Sequence, residues 1–105
     1  MIPANCRSLI VAESCINALT AWTWGFPAVA LMGTGNTYQM QQLRELGCPE
    51  IIICTDGDDA GRRAIKRIKN HLKSCAIVWS VSMPDGKDIN DITKEEFIEL
   101  LKLKE

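Results

Sequence analysis

Four short apolar runs, each followed by a segment of helical periodicity, constrain the fold of this chain more than any other feature. The runs predict β-strands at residues 8–12, 28–32, 51–54 and 76–82. The segments that follow predict helices at residues 14–23, 38–46, 58–73 and 94–103. Because the runs are apolar on both faces and helices intervene, the sequence predicts a central four-stranded, mainly parallel sheet flanked by helices, a three-layer α/β fold.

The spacing of apolar residues also predicts which helix faces are buried. In the 38–46 helix the residues expected to point inward are Tyr38, Leu43 and Leu46. In the 58–73 helix they are Gly61, Ile65, Ile68 and Leu72, at spacings of four, three and four residues.

The composition favours one globular domain without a membrane segment. The chain has 105 residues, of which 47% are hydrophobic and 24% charged, and its net charge is −1. No overall basic field therefore draws it to nucleic acid, and any such contact must come from a local patch. Its five cysteines form no C-x-x-C pair, which argues against a disulfide framework and a zinc ribbon and predicts a reducing, cytoplasmic setting. No apolar run approaches the ~18 residues that a membrane span needs.

Polar and acidic residues follow each predicted strand. In an open parallel sheet, ligands bind beyond the carboxyl ends of the strands, so these residues are the candidates for a site. In chain order they are Glu13, then Gly33, Thr34, Gly35 and Asn36, then Asp56, Asp58 and Asp59, then Asp85, Lys87, Asp88 and Asp91.

Carboxylates gathered at one edge repel one another unless something neutralises them. Asp56 and Asp58 are two residues apart, so their side chains point the same way in extended backbone, and Glu13 joins them if its strand is adjacent. Two carboxylates about 4 Å apart repel by about 4 kcal/mol at an effective dielectric of 20. A divalent cation turns that repulsion into coordination, and oxygen ligands favour Mg²⁺ or Mn²⁺. Taken singly, Asp58 also suits a helix N-cap and Glu13 a solvated surface, and it is their coincidence that favours a metal.

Four segments carry a family resemblance. VAESCINAL, LMGTGNT, CTDGDDAGRRA and MPDGKDIND resemble, in sequence and spacing, the Toprim domain of bacterial and phage DnaG-type DNA primases. The similarity runs from about residue 9 to 92, and D-G-D-x-A-G-R-x-A is its most specific part. It implies that residues 1–105 form a single Toprim domain of Rossmann-like fold, with a closing helix at about 94–103.

The resemblance implies a role for several residues at the strand ends. Asp56 and Asp58 would be metal ligands, and Glu13 would assist acid–base chemistry or bind metal. These three would be the catalytic residues. Asp88 would help to hold the metal, Mg²⁺ or Mn²⁺, and Lys87 would contact a nucleotide phosphate.

The implied function is that of the metal-dependent catalytic domain of a DNA primase or primase-helicase. Such a domain supports two-metal nucleotidyl transfer in RNA primer synthesis, with single-stranded DNA as template and nucleoside triphosphates as substrates. Other primase or helicase domains, in a longer chain or a complex, would be its partners. Ser14, Asn17 and Asn90 depart from the primase pattern, where Gly, Asp and Asp are respectively common, so a weaker ancillary metal site is expected.

The basic residues of the 58–73 helix predict a local surface for nucleic acid. Arg62, Arg63 and Lys66 lie near its start, close to the acidic edge, where a template strand would contact them through its phosphates. A solvated helix face explains the same pattern.

The glycine-rich turn Gly33-Thr34-Gly35 has two interpretations. It either cradles a phosphate with its backbone N–H groups or forms a tight turn that needs positive φ.

Three other functions remain open. A Toprim nuclease would cut nucleic acid with the same metal site, and a RecR-like Toprim scaffold would recruit partners without chemistry. A receiver-like α/β domain would also hold Mg²⁺ in an acidic pocket, but it would need an acidic pair after the first strand, where this chain has Glu13 followed by Ser14.

Overall fold

Strands and helices alternate along the chain as the sequence predicts. The computed structural model describes residues 7–31 and 37–105. In chain order the elements are β1 (Ser8–Ala12), α1 (Cys15–Thr23), β2 (Ala28–Ala30), α2 (Thr37–Leu46), β3 (Glu50–Cys54), α3 (Asp59–Leu72), β4 (Ile77–Ser80), a 3₁₀ turn (Ile89–Asp91) and α4 (Lys94–Lys102).

The four strands form one sheet in the order β2-β1-β3-β4, and every pairing is parallel. The predicted α/β fold is therefore confirmed. At the centre, β1 and β3 lie side by side, with Val11 opposite Ile53 and Ala12 opposite Cys54. The residues that follow these two strands consequently leave the sheet next to each other, at its carboxyl edge.

Alternate residues of the central strands face two separate apolar cores. Ile10 and Ile52 belong to the core beneath α1 and α4, which also holds the fully buried Phe97. Val11 and Ile53 belong to the core beneath α2 and α3. Burying a large apolar side chain of this kind stabilises the fold by about 1.5–3 kcal/mol. Two helices therefore cover each face, and the apolar-on-both-faces pattern of the strands follows from this arrangement.

Side-chain caps fix the point at which two helices begin. The Asn17 N–H donates to the Ser14 hydroxyl at 3.2 Å at the start of α1. The Gly61 N–H donates to Asp58 Oδ1 at 2.7 Å at the start of α3. Caps of this type contribute about 1 kcal/mol each. They hold the short connections between β1 and α1 and between β3 and α3 in one conformation.

The buried face of α2 differs from the predicted one. Met40 and Leu43 are buried, whereas Tyr38 is 70% exposed and Leu46 is 44% exposed. The prediction for Tyr38 and Leu46 was wrong because Met40 and Leu43, three residues apart, set the helix phase that faces the sheet. In α3 the predicted face is confirmed, although Ile65 is only partly buried.

The ends of two strands also differ from prediction. β2 ends at Ala30, and Met32, predicted as its last residue, lies outside the described residues. β4 is limited to Ile77–Ser80, and the 3₁₀ turn that follows it was not predicted. No described helix has both the length and the apolarity needed to cross a membrane.

Candidate metal centre

Glu13 and Asp56 meet at the carboxyl edge of the sheet. Each lies just past the end of a central strand, and those strands pair through Ala12 and Cys54. The Asp56 N–H donates to Glu13 Oε1 at 3.4 Å. The parallel pairing of β1 and β3 therefore brings together two acidic residues that are 43 positions apart in the sequence.

Two glycines allow the loop after β3 to fold back on itself. A Cβ at Gly61 would lie 2.1 Å from the Asp56 carbonyl oxygen, so only glycine fits where α3 meets this loop. The buried Thr55 hydroxyl donates to the Gly61 carbonyl at 3.0 Å on the same side. A Cβ at Gly57 would lie 2.2 Å from the Pro84 carbonyl oxygen. The glycines of the D-G-D-x-A-G segment thus permit close backbone contacts.

Backbone hydrogen bonds join this loop to the one that follows β4. The Gly57 N–H donates to the Lys87 carbonyl at 3.0 Å, and the Gly86 N–H donates to the Gly57 carbonyl at 2.8 Å. Asp88 comes next and caps the 3₁₀ turn, accepting the Asn90 N–H at 2.8 Å. The loop that carries Asp88 is thereby held against the loop that carries Asp56.

The electrostatics of the cluster agree with this placement. Burial, the Asp56 carboxylate and more weakly Asp58 raise the pKa of Glu13, against a lowering contribution from the Asp56 N–H. Burial, then Asp88, Asp58 and Asp91 raise the pKa of Asp56, against a lowering contribution from the nearby Glu13 carboxyl group. Mutual repulsion of partly desolvated carboxylates produces such shifts. Five acidic residues therefore share one local field.

Asp56 carries a buried oxygen without a hydrogen bond. Its Oδ1 is inaccessible to solvent and has no partner within residues 7–31 and 37–105. Buried polar oxygens in native proteins are nearly always paired, because leaving one unpaired costs about 1–3 kcal/mol. This oxygen belongs to the loop between β3 and α3, next to Glu13.

The donor set at this edge fits a hard divalent cation by its chemistry. Carboxylate oxygens are the ligands that Mg²⁺ and Mn²⁺ prefer, and the unpaired Asp56 Oδ1 is suited to such a partner. The side chains do not form a closed cage: in the described part of the chain no three His, Cys, Asp or Glu side chains are grouped as metal ligands. Asp58 Oδ1 is engaged in capping α3.

The predicted basic residues lie beside the acidic edge. Arg62, Arg63 and Lys66, with Asp59, line an open cleft of about 160 Å³. Arg62 forms ion pairs with two carboxylates, that of Asp59 at 2.7 Å and that of Asp85 at 3.7 Å. Arg63 and Lys66 are exposed along the same side of α3.

The other predicted binding residues have different outcomes. Lys87 is exposed, and its carbonyl oxygen holds Gly57. Gly33, Thr34 and Gly35 lie outside the described residues.

Asp91 belongs to the cluster, although the sequence analysis listed it only among the residues after the fourth strand and predicted no role for it. The Asp88 N–H donates to Asp91 Oδ2 at 3.0 Å, completing a capping box around the 3₁₀ turn. The signal for this was present in the sequence, because acidic residues three apart at positions 88 and 91 match the capping-box spacing. Asn17 was expected only as a departure from the primase pattern, and the structure buries it in contact with Asn90.

Comparison with known proteins identifies the family. Residues 10–93 match the family described as Toprim-like. The chain belongs to that family. This Toprim domain is 33% identical over 88 residues to the DNA primase of Aquifex aeolicus, covering 82% of this chain and 18% of that protein. It is 30% identical over 95 residues to the DNA primase of Halalkalibacterium halodurans, covering 89% of this chain and 16% of that protein.

A solved primase structure has the same fold. The zinc-binding and RNA polymerase domains of the Aquifex aeolicus primase match this Toprim domain with a TM-score of 0.79 and 29% identity, over 94% of this chain and 26% of that one. The resemblance to DnaG-type primase Toprim domains is therefore confirmed. The chain spans less than a fifth of the length of the two curated primases.

Proposed function

We propose that this Toprim domain is the metal-dependent catalytic domain of a DNA primase or primase-helicase. It would support nucleotidyl transfer in RNA primer synthesis on single-stranded DNA, in the cytoplasm and together with other primase or helicase domains. The observation that carries the proposal is the meeting of Glu13 with Asp56, whose Oδ1 is buried and unpaired among the described residues. Similarity to the primases of two bacteria supports the choice of reaction.

Glu13, Asp56 and Asp58 would hold Mg²⁺ or Mn²⁺, with Asp88 as a further ligand. When bound, such ions neutralise charge on a triphosphate and lower the pKa of an attacking hydroxyl. The chain's own contribution is positional. The α3 cap fixes Asp58, and the contacts of Gly57 with Lys87 hold the Asp88 loop in place.

Glu13 is suited to carry a proton at this edge. Its pKa is raised, mainly by burial and by the Asp56 carboxylate. A carboxyl group with a raised pKa is more readily protonated, which is the property required of a group that assists acid–base chemistry; this role is the alternative to metal binding by Glu13, because a metal ligand must be deprotonated.

The cleft lined by Arg62, Arg63 and Lys66 would contact the phosphates of the template or of a nucleotide. Arg63 and Lys66 are the better candidates, since Arg62 already pairs with Asp59. Lys87, exposed on the loop after β4, would contact a nucleotide phosphate. Gly33, Thr34 and Gly35 remain candidates for a phosphate cradle.

Binding of Mn²⁺ to the chain tests the metal part of the proposal. Titration calorimetry should show Mn²⁺ binding to the wild type and no binding to Asp56→Ala. Asp59→Ala is a matched control, because Asp59 lies in the first turn of α3 but its side chain is 83% exposed and pairs with Arg62. Identical isotherms for the wild type and Asp56→Ala would overturn the proposal.

Nucleic-acid assays then separate primase from nuclease. We expect the chain to bind single-stranded DNA weakly and to cut neither DNA nor RNA in Mg²⁺ or Mn²⁺. Metal-dependent cutting abolished by Asp56→Ala would favour the nuclease alternative. The salt dependence of DNA binding is the slope of log K against log salt concentration. Arg63→Ala combined with Lys66→Ala should reduce the magnitude of this slope by about one for each phosphate that is no longer neutralised. Lys73→Ala, at the other end of α3, is the control and should leave that slope unchanged.

A further inference from the structure

An amide–amide hydrogen bond joins α1 to the 3₁₀ turn. Asn17 is only 2% exposed, and its Oδ1 accepts a hydrogen bond from Asn90 Nδ2 at 2.9 Å. The Thr20 hydroxyl of the same helix lies within hydrogen-bond distance of Asn90 Oδ1 as well as of the Ile16 carbonyl, and its one hydrogen is donated to either acceptor. The exposed Asn90 side chain is therefore held at both ends by α1, across 73 positions of sequence in the case of Asn17.

Fixing Asn90 also fixes the carboxylates around it. The Asn90 N–H donates to Asp88 Oδ1 at 2.8 Å, and the Asp88 N–H donates to Asp91 Oδ2 at 3.0 Å. Both acidic side chains are thus tied to the turn that Asn90 anchors. The Gly57 N–H donates to the Lys87 carbonyl at 3.0 Å, so the chain just before Asp88 contacts the loop that carries Asp56 and the turn lies next to the candidate metal centre.

We propose that Asn17 and Asn90 form a brace that positions the Asp88–Asp91 turn beside Asp56. The inference rests on the proposed function, since the turn is positioned for the metal that Asp56 would help to bind. In this proposal Asn17 and Asn90 position the turn and are not themselves weak ligands of the metal.

An amide at position 90 suits the brace in its present arrangement. Asn90 Nδ2 donates to Asn17 Oδ1, and a carboxylate at position 90 would be met only if the Asn17 amide turned over to donate. A carboxylate would also add a charge next to Asp88 and Asp91, which already crowd this turn.

Hydrogen exchange in EDTA tests the brace without metal. Asn90→Ala removes both side-chain contacts with α1, so it should speed exchange of the backbone amides of residues 90–92 by at least about fivefold, the effect of losing one hydrogen bond of average strength. Asn90→Asp keeps the shape and the acceptor that Thr20 contacts but removes the donor to Asn17, so it should speed exchange less than Asn90→Ala does. Asn70→Ala removes an equivalent exposed amide from the far part of α3 and should leave the turn unchanged. Unchanged exchange in both Asn90 variants would overturn the brace.

Titration with Mn²⁺ tests whether the brace supports metal binding. Asn90→Ala should weaken Mn²⁺ binding about tenfold, the lower end of what is lost with groups that orient metal ligands, whereas Asn70→Ala should bind like the wild type. Equal affinity of Asn90→Ala and the wild type would overturn the positioning role and leave the proposed function intact. No binding by the wild type would instead overturn the proposed function, and the purpose of the brace with it.

Discussion

Replacing Asp56 by Asn should change the stability of the Toprim domain in opposite directions with and without metal. Without metal, the substitution removes one charge from a cluster of carboxylates in which burial and the neighbouring acids Asp88 and Asp58 already raise the pKa of Asp56. It also supplies an amide donor close to Glu13, whose Oε1 lies 3.4 Å from the Asp56 N–H. The metal-free variant is therefore expected to be the more stable protein.

The magnitude follows from the charges and their surroundings. At about 6 Å and an effective dielectric of 20–40, a like-charged pair costs roughly 1.5–3 kcal/mol. Because Glu13 and Asp56 are both partly exposed, solvent weakens this repulsion, and we expect Asp56→Asn to raise the free energy of unfolding by about 1 kcal/mol. In a domain of this size such a gain raises the melting temperature by about 4–8 °C.

Metal should reverse the order of stability. At a concentration 100 times Kd, Mn²⁺ stabilises the wild type by about 2.7 kcal/mol. A variant whose affinity is about a hundredfold lower gains only about 0.4 kcal/mol at the same concentration. The wild type should then be more stable than Asp56→Asn by about 1 kcal/mol.

Thermal unfolding followed by circular dichroism, in EDTA and in saturating Mn²⁺ near neutral pH, measures both effects. Asp59→Asn serves as control, because its exposed carboxylate lies outside the cluster and should leave the Mn²⁺ shift unchanged. Lower stability of Asp56→Asn than of the wild type in EDTA, or equal stabilisation of both proteins by Mn²⁺, would refute the prediction.

Three further predictions concern the same edge of the sheet. Asp58→Ser should keep the cap of α3 and change stability by less than about 0.5 kcal/mol, but it should weaken Mn²⁺ binding in calorimetry, so retained affinity would exclude Asp58 as a ligand. Gly57→Ala should destabilise the domain in urea by about 3 kcal/mol, since its Cβ would lie 2.2 Å from the Pro84 carbonyl, whereas Gly86→Ala, at φ 73° with open space, should cost only about 1 kcal/mol. Equal losses would contradict the close approach. The pKa of Asp56 is higher in the folded than in the unfolded protein, so the folded protein binds the Asp56 proton more tightly. The stability gained from this proton is complete below the ordinary carboxyl pKa of about 4 and is lost as the pH rises through the raised pKa. The metal-free wild type should therefore lose stability relative to Asp56→Asn between about pH 4 and neutrality in urea titrations, and a constant difference would be the contrary result.

The fold could be predicted from the sequence because the apolar periodicity of each segment matches the strand or helix that it forms in the structure. The strand at residues 8–12 is found with the predicted bounds, and α3 begins one residue after the predicted start because Asp58 is its cap. The phase of α2 was not readable, since Tyr38 and Met40 are both apolar enough to be buried and only packing against β-strands selects Met40.

The candidate site was partly readable for the same reason. The carboxyl ends of parallel strands meet at one edge, so Glu13 and Asp56 were expected to approach if their strands were neighbours, but strand order is a tertiary property that no local pattern encodes. The contact between Asn17 and Asn90 spans 73 positions and depends on how α1 packs beside the turn after β4. Sequence spacing carries no signal for such a pair.

The position of a bound ion is the most direct test of the proposed metal centre. Crystals of this domain soaked in Mn²⁺ and measured near the manganese absorption edge should show an anomalous peak among the carboxylates of Glu13, Asp56 and Asp58. A strong peak at any other place on the molecule, with density for these three side chains unchanged from the metal-free crystal, would contradict the proposal.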